Sequence, residues 1–110
     1  MKIKVPIEFE PYKDGECWIC AVEDGQAKKK LLRHFDNRVV GSKRYYIAAQ
    51  AQREITRIIR IPLSDVDKND MVLIGEKQYR MEQIQHMQEA NPPSTDLTLE
   101  ELRRTYEVVD

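Results

Sequence analysis

The chain has 110 residues, of which 18 are Lys or Arg and 19 are Asp or Glu, so its formal net charge is −1. This length predicts one domain over residues 1–110, and the balanced charge favours neither a nucleic acid nor a membrane surface as a partner. Charged residues make up 34% of the chain and aromatic residues 7%. Such a composition favours a thin core that is completed by contacts with neighbouring subunits, and it is also compatible with a soluble monomer.

Residues 2–9 predict the first strand, because apolar side chains alternate with polar ones. Pro6 lacks a backbone N–H and places this strand at a sheet edge. The same stretch lacks the unbroken apolar run of a signal peptide, and no part of the sequence contains the roughly 20 apolar residues of a membrane span. We therefore expect synthesis in the cytosol.

Cys17 and Cys20 form a C-x-x-C within "GECWICAVEDG", which predicts a strand over 16–22 between two turns. Residues three apart on a strand face opposite sides, about 10 Å from each other, too far for a disulfide. A zinc site would need a second histidine shortly after His34, but the other histidine is His86. The sequence thus predicts two half-buried structural cysteines and no metal.

The following region predicts a polar link over 23–30, a strand "KKLLRHF", and a turn containing Asp36, Asn37 and Gly41. Ser42 is suited to cap a helix over about 43–52. This helix carries two small apolar patches instead of one stripe. The pattern allows either a helix packed between its own sheet and a partner, or a short helix with one loosely packed face.

From Glu54 the sequence predicts a strand that ends at Pro62, a loop over 63–70, and a short strand "MVLI" covered on both faces. "GEK" predicts a tight turn into the strand "QYRMEQIQHM", with a register shift near Gln83. After Pro92–Pro93 we expect a short strand at 96–99. The remaining 100–110 form a C-terminal extension, interpreted as a helix or a frayed tail.

Motifs for catalysis or cofactor binding are missing from the sequence. It has no glycine-rich phosphate loop, no G-x-S-x-G, and few candidates for a general base. Three aspartates in "SDVDKND" resemble a calcium loop, yet the required Gly and the final Glu are absent. We therefore predict a protein that is not an enzyme and that binds no cofactor. An enzyme would need a concave pocket converging on His34 or His86.

The order of elements from about 35 to 99 resembles the head–tail joining proteins of tailed bacteriophages and prophages, also called head-closure or stopper proteins. Three segments carry the resemblance: one that opens a short helix, a late hairpin and a final Leu-x-Leu strand. The matching residues are Val40, Ser42, Tyr45, Tyr46 and Ala48; Asp70, Val72, Ile74, Tyr79 and Met81; and Leu97 and Leu99. Gly75 directly follows Ile74 and Met81 replaces a commoner Ile, which are departures from the family pattern.

The resemblance implies a mainly β fold, a small antiparallel β-barrel or sandwich with one inserted helix. It also implies a structural role: a ring between the portal–adaptor complex and the tail, which closes the head and offers a docking face for the tail. The partners would be portal, adaptor and tail proteins, further copies of the chain and, non-specifically, packaged DNA, with no membrane. The location would be the host bacterial cytoplasm during assembly and then the virion neck.

Under this interpretation two sets of residues are candidate sites. The helix would supply the subunit and partner interface: Tyr45, Tyr46, Ile47, Gln50, Ala51 and Arg53. Two loops are candidates for facing the DNA channel: Lys28, Lys29 and Lys30, or Asp65, Asp67 and Lys68.

The alternative interpretation is a small β-barrel module that binds nucleic acid or peptide. It would need a basic groove with stacking aromatic residues. The residues available for such a groove are Lys28, Lys29, Lys30, Lys43, Arg44, Tyr45 and Tyr46.

Overall fold

A computed structural model describes residues 11–38 and 57–110 of the chain. These residues form seven β-strands. Their bounds are β1 Gly15–Glu23, β2 Gln26–Arg38, β3 Arg57–Pro62, β4 Met71–Ile74, β5 Lys77–Met87, β6 Ser94–Glu101 and β7 Glu107–Val109. The prediction of a mainly β protein is confirmed. The predicted strand over 2–9 and the predicted helix over 43–52 lie outside the described residues.

The strands pair into one sheet that closes on itself. Its order is β1-β4-β5-β6-β3-β2, with β1 also paired to β2, and β7 adds to β2 from outside this closed set. All pairings are antiparallel except β2 with β7, which is parallel. Within the described residues, β3, β4 and β6 are paired on both edges, whereas β1 pairs with β4 only over 18–20 and β5 pairs with β4 only over 77–80. We call the six mutually paired strands the closed sheet.

A tight hairpin joins β1 to β2, and it corrects the predicted polar link over 23–30. Asp24 and Gly25 both have positive φ, 52° and 77°, and Glu23 pairs directly with Gln26. An Asp-Gly pair is favoured in two-residue hairpin turns, because both positions need the left-handed region. The lysines after the turn therefore belong to a strand, which also continues through Asp36 and Asn37, the predicted turn residues.

The second hairpin, β4 with β5, follows the prediction. Ile74 pairs with Lys77 across the turn, and Gly75 there has a φ of 62°. The register of β5 against β6 shifts between Met81 and Gln83, as the sequence pattern predicted. Because one extra residue reverses the side-chain alternation, Ile84 packs against the core beyond the shift.

Side chains on the inner faces of the strands form the main core, here called the inner core. Its buried members are Cys17, Ile19, Phe35, Ile59, Ile61, Val66, Val72, Tyr79, Met81, Leu97 and Leu99. Val66 comes from the loop over 63–70, so this loop contributes one side chain to the core. Alternation along each strand directs these residues to one face.

A second hydrophobic group, the outer cluster, covers the opposite face of β1 and β4. It contains the buried residues Cys20, Ala27, Met71 and Leu73, packed against Trp18, Val22, Leu102, Tyr106 and Val108. Val72 belongs to the inner core, whereas its neighbours Met71 and Leu73 belong to the outer cluster. The predicted covering of "MVLI" on both faces is thus confirmed.

The C-terminal segment completes the outer cluster, and the predicted helix or frayed tail is wrong. The amide of Gln78 donates to the Tyr106 carbonyl (2.9 Å) and accepts from the Tyr106 N–H (2.8 Å). The Leu102 N–H donates to the Gln78 carbonyl at 2.8 Å, and β7 pairs with the start of β2. Contacts with Gln78 and with the outer apolar face of β4 outweigh the local helix preference of the segment.

No helix long and apolar enough to cross a membrane occurs within the two described ranges.

Candidate interaction site on the edge of the second strand

Within the described residues, β1 pairs with most of one edge of strand β2, and the other edge is paired only near its two ends. β1 covers the first edge from Gln26 to Phe35, with a register shift that passes over Lys30. On the opposite edge, β7 reaches as far as Lys28 and β3 begins at Asp36, so the seven residues between them pair with neither strand. An unpaired strand edge presents backbone N–H and C=O groups that another extended segment can bind.

A shallow groove of about 450 Å³ lies along this part of β2. It is lined by Pro11, Tyr12, Leu32, Arg33, His34, Pro62 and Leu63. Leu32 and Leu63 are the large hydrophobic side chains most exposed to solvent among the described residues, at 40% and 41%. The site therefore combines an unpaired backbone edge with apolar side chains on both walls. We call it the edge groove.

Arg33 provides the positive charge of the edge groove. Its Nε donates to Ser64 Oγ at 3.0 Å, and its Nη1 donates to the Leu32 carbonyl at 3.0 Å. Both acceptors are neutral, and among the described residues no carboxylate lies within ion-pair distance of Arg33. A guanidinium has five N–H donors, so with respect to the described residues Arg33 retains donors for an incoming carboxylate.

A buried polar network holds Arg33 in place from behind. Ser64 donates through its hydroxyl to the Pro62 carbonyl (2.7 Å), and its backbone N–H donates to Thr95 Oγ1 (3.1 Å). Ser64 and Thr95 are both buried. Burial raises the pKa of the nearby Cys17 thiol to about 12, an effect that the charge of Arg33 partly opposes. The buried residues Ser64 and Thr95 therefore fix the position of the Arg33 side chain.

The segment before β1 forms the other wall of the groove, and Asp36 anchors it. Its carboxylate accepts the backbone N–H groups of Tyr12 (2.8 Å) and Lys13 (2.9 Å). The Tyr12 hydroxyl lies 2.7 Å from Ser94 Oγ. Asp36 on β2 therefore anchors the segment before β1, and this anchor holds Pro11 against the groove.

The predicted channel residues Lys28, Lys29 and Lys30 lie on β2 and not in a loop. Lys29 Nζ lies 3.2 Å from Asp110 and 5.1 Å from the centre of the Trp18 ring, and Lys30 Nζ lies 2.7 Å from the buried Asp70. Lys28 is exposed. Two of the three charges therefore have carboxylate partners, which weakens this run as a binding patch.

The other predicted channel residues, Asp65, Asp67 and Lys68, are exposed on the loop over 63–70. Asp70 closes this loop: its carboxylate accepts from Lys30 and from the Asp67 N–H at 3.2 Å. Within the described ranges no group of three potential metal ligands occurs. Which of the two sets faces a DNA channel stays a prediction.

The predicted interface residues lie outside the described part of the chain. They are Tyr45, Tyr46, Ile47, Gln50, Ala51 and Arg53.

Both histidines lie beside concave surfaces. His34 lines the edge groove, with its Nε2 3.8 Å from the exposed Glu16 carboxylate. His86 borders a shallow depression formed by 86–90, and its Nδ1 lies 3.0 Å from the hydroxyl of the fully buried Thr95. The contact between His86 and Thr95 is suited to holding β5 and β6 together.

The interpretation of the sequence did not include Leu32 and Leu63. Leu31 and Leu32 are consecutive apolar residues in a strand, so one of them had to face outward. The consecutive leucines were therefore the available signal that one apolar side chain of this strand is exposed. Leu63 follows Pro62 in a predicted loop, and nothing in the local pattern indicates that it lies near Leu32.

A comparison of the chain with known protein families found no family that matches it, and a comparison with curated proteins found no matching relative.

Proposed function

We propose that the protein is a structural neck protein of a tailed bacteriophage or prophage. It forms a ring between the portal–adaptor complex and the tail, closes the head, and provides the docking face for the tail. The proposal involves no catalysis and no cofactor. The resemblance of the segments around residues 40–48, 70–81 and 97–99 to head-closure proteins supports this role. The mainly β fold is compatible with it.

One observation carries the proposal furthest: among the described residues, the edge of β2 between β7 and β3 has no strand partner. Natural proteins usually protect such edges. This edge is bordered by two exposed leucines, Leu32 and Leu63. Such an arrangement is suited to receiving an extended segment of a neighbouring chain.

An asymmetric contact would suit a connector ring. If the groove of one copy received a different surface of the next copy, the contacts would be head-to-tail, and such contacts produce rings when the rotation between copies closes.

Electron microscopy tests the proposal directly. The purified protein would be mixed with portal and adaptor rings from its own genome neighbourhood. We expect an additional ring of density on the adaptor side of the portal. If the protein stays unbound at high micromolar concentration, the connector role is wrong. A gel-shift with single-stranded DNA at low salt would then test the alternative, a nucleic-acid-binding module.

A further inference from the structure

Residues 103–110 lie on the surface of the outer cluster. The chain bends at Arg103 and Arg104, between the end of β6 and the start of β7. Beyond the bend, Tyr106 and Val108 pack on the outer cluster, and β7 pairs in parallel with the start of β2. We call residues 103–110 the strap.

Gln78 holds the beginning of the strap. Its side chain bonds to both backbone groups of Tyr106, at 2.8 and 2.9 Å. Its backbone carbonyl accepts from the N–H of Leu102 at 2.8 Å. Leu102 is therefore fixed to the sheet by a bond that does not involve the strap after it.

Polar contacts hold the end of the strap. The Gln26 amide donates to the Glu107 carboxylate at 3.1 Å, and Lys29 Nζ lies 3.2 Å from the Asp110 carboxylate. Glu107 and Asp110 are both exposed. Exposed ion pairs contribute little to stability because water screens them. The end of the strap is thus held weakly.

Residues 103–105 form a hinge between the sheet and the contacts of the strap. All three are exposed, and within the described part of the chain their side chains make no hydrogen bond or ion pair. Three extended residues span about 10 Å. Straightening the hinge would therefore move Tyr106 away from its own Gln78 without breaking a side-chain contact of the hinge.

We propose that copies of this chain exchange straps, so that residues 106–110 of one copy cover the outer cluster of a second copy. The structure shows what fits this surface, because the strap already covers it with matching apolar and polar contacts. An identical strap from another copy makes the same contacts, and such exchange is a low-cost route to association. The proposal goes beyond the neck function and does not depend on it.

The local concentration of straps decides between the two arrangements. A short linker gives the strap an effective concentration on the order of millimolar at its own site, so the protein stays monomeric when it is dilute. Copies held side by side in an assembly present their straps to each other at a comparable concentration. In solution exchange is therefore a minor event, and a covalent trap can accumulate it.

Disulfide trapping tests the exchange. Lys28 and Val109 are partners in the pairing of β2 with β7. One copy would carry Lys28→Cys and a second, larger tagged copy Val109→Cys, both with Cys17→Ala and Cys20→Ala. Each copy then has one thiol, and the two thiols become partners when the strap of one copy lies on β2 of the other. We expect a mixed disulfide to accumulate under mild oxidation at high micromolar concentration.

Glu89→Cys in place of Lys28→Cys is the matched control, since Glu89 is an exposed residue outside the site of the strap. This pair measures the disulfide that random collisions produce. Circular dichroism and thermal unfolding would establish that all variants are folded. A yield of mixed disulfide no higher than that of the control pair overturns the proposal.

A vacated site makes the test more sensitive. Deletion of residues 103–110 from the Lys28→Cys copy removes the competing strap, so the yield with the Val109→Cys copy should rise about tenfold or more. Adding Gln78→Ala to the shortened copy should lower the yield again, because only the incoming strap bonds to Gln78 there. A yield that Gln78→Ala leaves unchanged would mean that the strap does not occupy its site on a second copy, and the proposal is wrong.

The two proposals fail separately. A mixed disulfide without an added ring on the portal assembly supports the exchange and overturns the neck function. An added ring without a mixed disulfide above the control supports the neck function and overturns the exchange.

Discussion

The inner core and the outer cluster lie on opposite faces of the same two strands, yet they are built differently. The inner core draws its side chains from all six strands of the closed sheet and from the loop over 63–70. The outer cluster depends on a short C-terminal segment, which is held by Gln78 and by the three residues of β7. Burial alone therefore does not report how strongly a region is held.

Cys17 and Cys20 make this difference measurable. Both thiols are almost completely buried, with 1% and 0% of their surface exposed. Cys17 belongs to the inner core and Cys20 to the outer cluster. To expose Cys17 the closed sheet must open, whereas Cys20 needs only the release of the C-terminal segment. Local openings of this kind cost less free energy than global unfolding.

The largest effect is expected from removing side-chain volume in the inner core. Leu97 is fully buried and pairs with Ile59 and Ile84 on its two neighbouring strands. We expect Leu97→Ala to lower the free energy of unfolding by about 2–5 kcal/mol, because a cavity adds to the loss of transferred apolar surface. Urea denaturation would measure it. A loss similar to that of Leu63→Ala, an exposed leucine, would contradict this view of the core.

High pH should destabilise the inner core through Cys17. Burial raises the pKa of this thiol from its ordinary value of 9.0 to about 12, so the folded protein retains a proton that the unfolded chain releases. The stabilisation from the protonated thiol is complete below pH 9 and is lost as the pH rises towards 12. At pH 10.5 the loss in the free energy of unfolding is about 2 kcal/mol. Denaturation at pH 8 and 10.5 would measure it, and the loss should be smaller in Cys17→Ala.

Gln78→Ala should weaken the outer cluster and leave the inner core intact. The substitution removes both side-chain hydrogen bonds to Tyr106 and leaves backbone groups without partners, which costs about 1–3 kcal/mol. Gln83→Ala is the matched control, since Gln83 is an exposed residue of the same strand. Amide hydrogen exchange should show faster exchange in 102–109 only for Gln78→Ala. Equal protection of that segment in both variants would show that Gln78 does not hold it.

Thiol labelling should give the smallest effect in free energy, but it compares the two regions directly. In the single-cysteine variants Cys17→Ala and Cys20→Ala, a thiol reagent reports the opening of one region each. We expect Cys20 to react about tenfold faster than Cys17, which corresponds to about 1.4 kcal/mol less free energy of opening. Gln78→Ala should accelerate Cys20 alone. Equal rates for the two thiols would mean that both regions open in one step.

The local elements of this protein were largely readable in its sequence. Flanking turns predicted β1, β-branched residues before Pro62 predicted β3, and the turn "GEK" predicted the β4–β5 hairpin. The change of alternation after Met81 predicted the register shift near Gln83. The continuous apolar run of "MVLI" predicted a strand covered on both faces. Each of these signals lies within about ten residues, because side-chain alternation and turn chemistry act between near neighbours.

One error, the polar link over 23–30, missed the local hairpin turn at Asp24 and Gly25, and two others arose where a distant residue decided the outcome. Residues 100–110 were interpreted as a helix or a frayed tail, but Gln78 and the apolar face of β4 hold the segment as an extended one. Asp36 and Asn37 are common turn residues, yet they continue β2. Asp36 there binds the Tyr12 and Lys13 N–H groups. In both places tertiary hydrogen bonds outweigh a local preference of a few tenths of a kcal/mol per residue.

The sequence by itself determined most of the strands, the separation of the two cysteines onto opposite faces, and the mainly β class. Only the tertiary structure decided that the sheet closes, that the C-terminal segment covers β1 and β4, and that Leu32, Leu63 and Arg33 meet beside an unpaired edge of β2. The physical reason is distance along the chain. Leu32 and Leu63 become neighbours only because β2 and β3 pair antiparallel, and pairing between distant segments leaves no signal in the local pattern of either one.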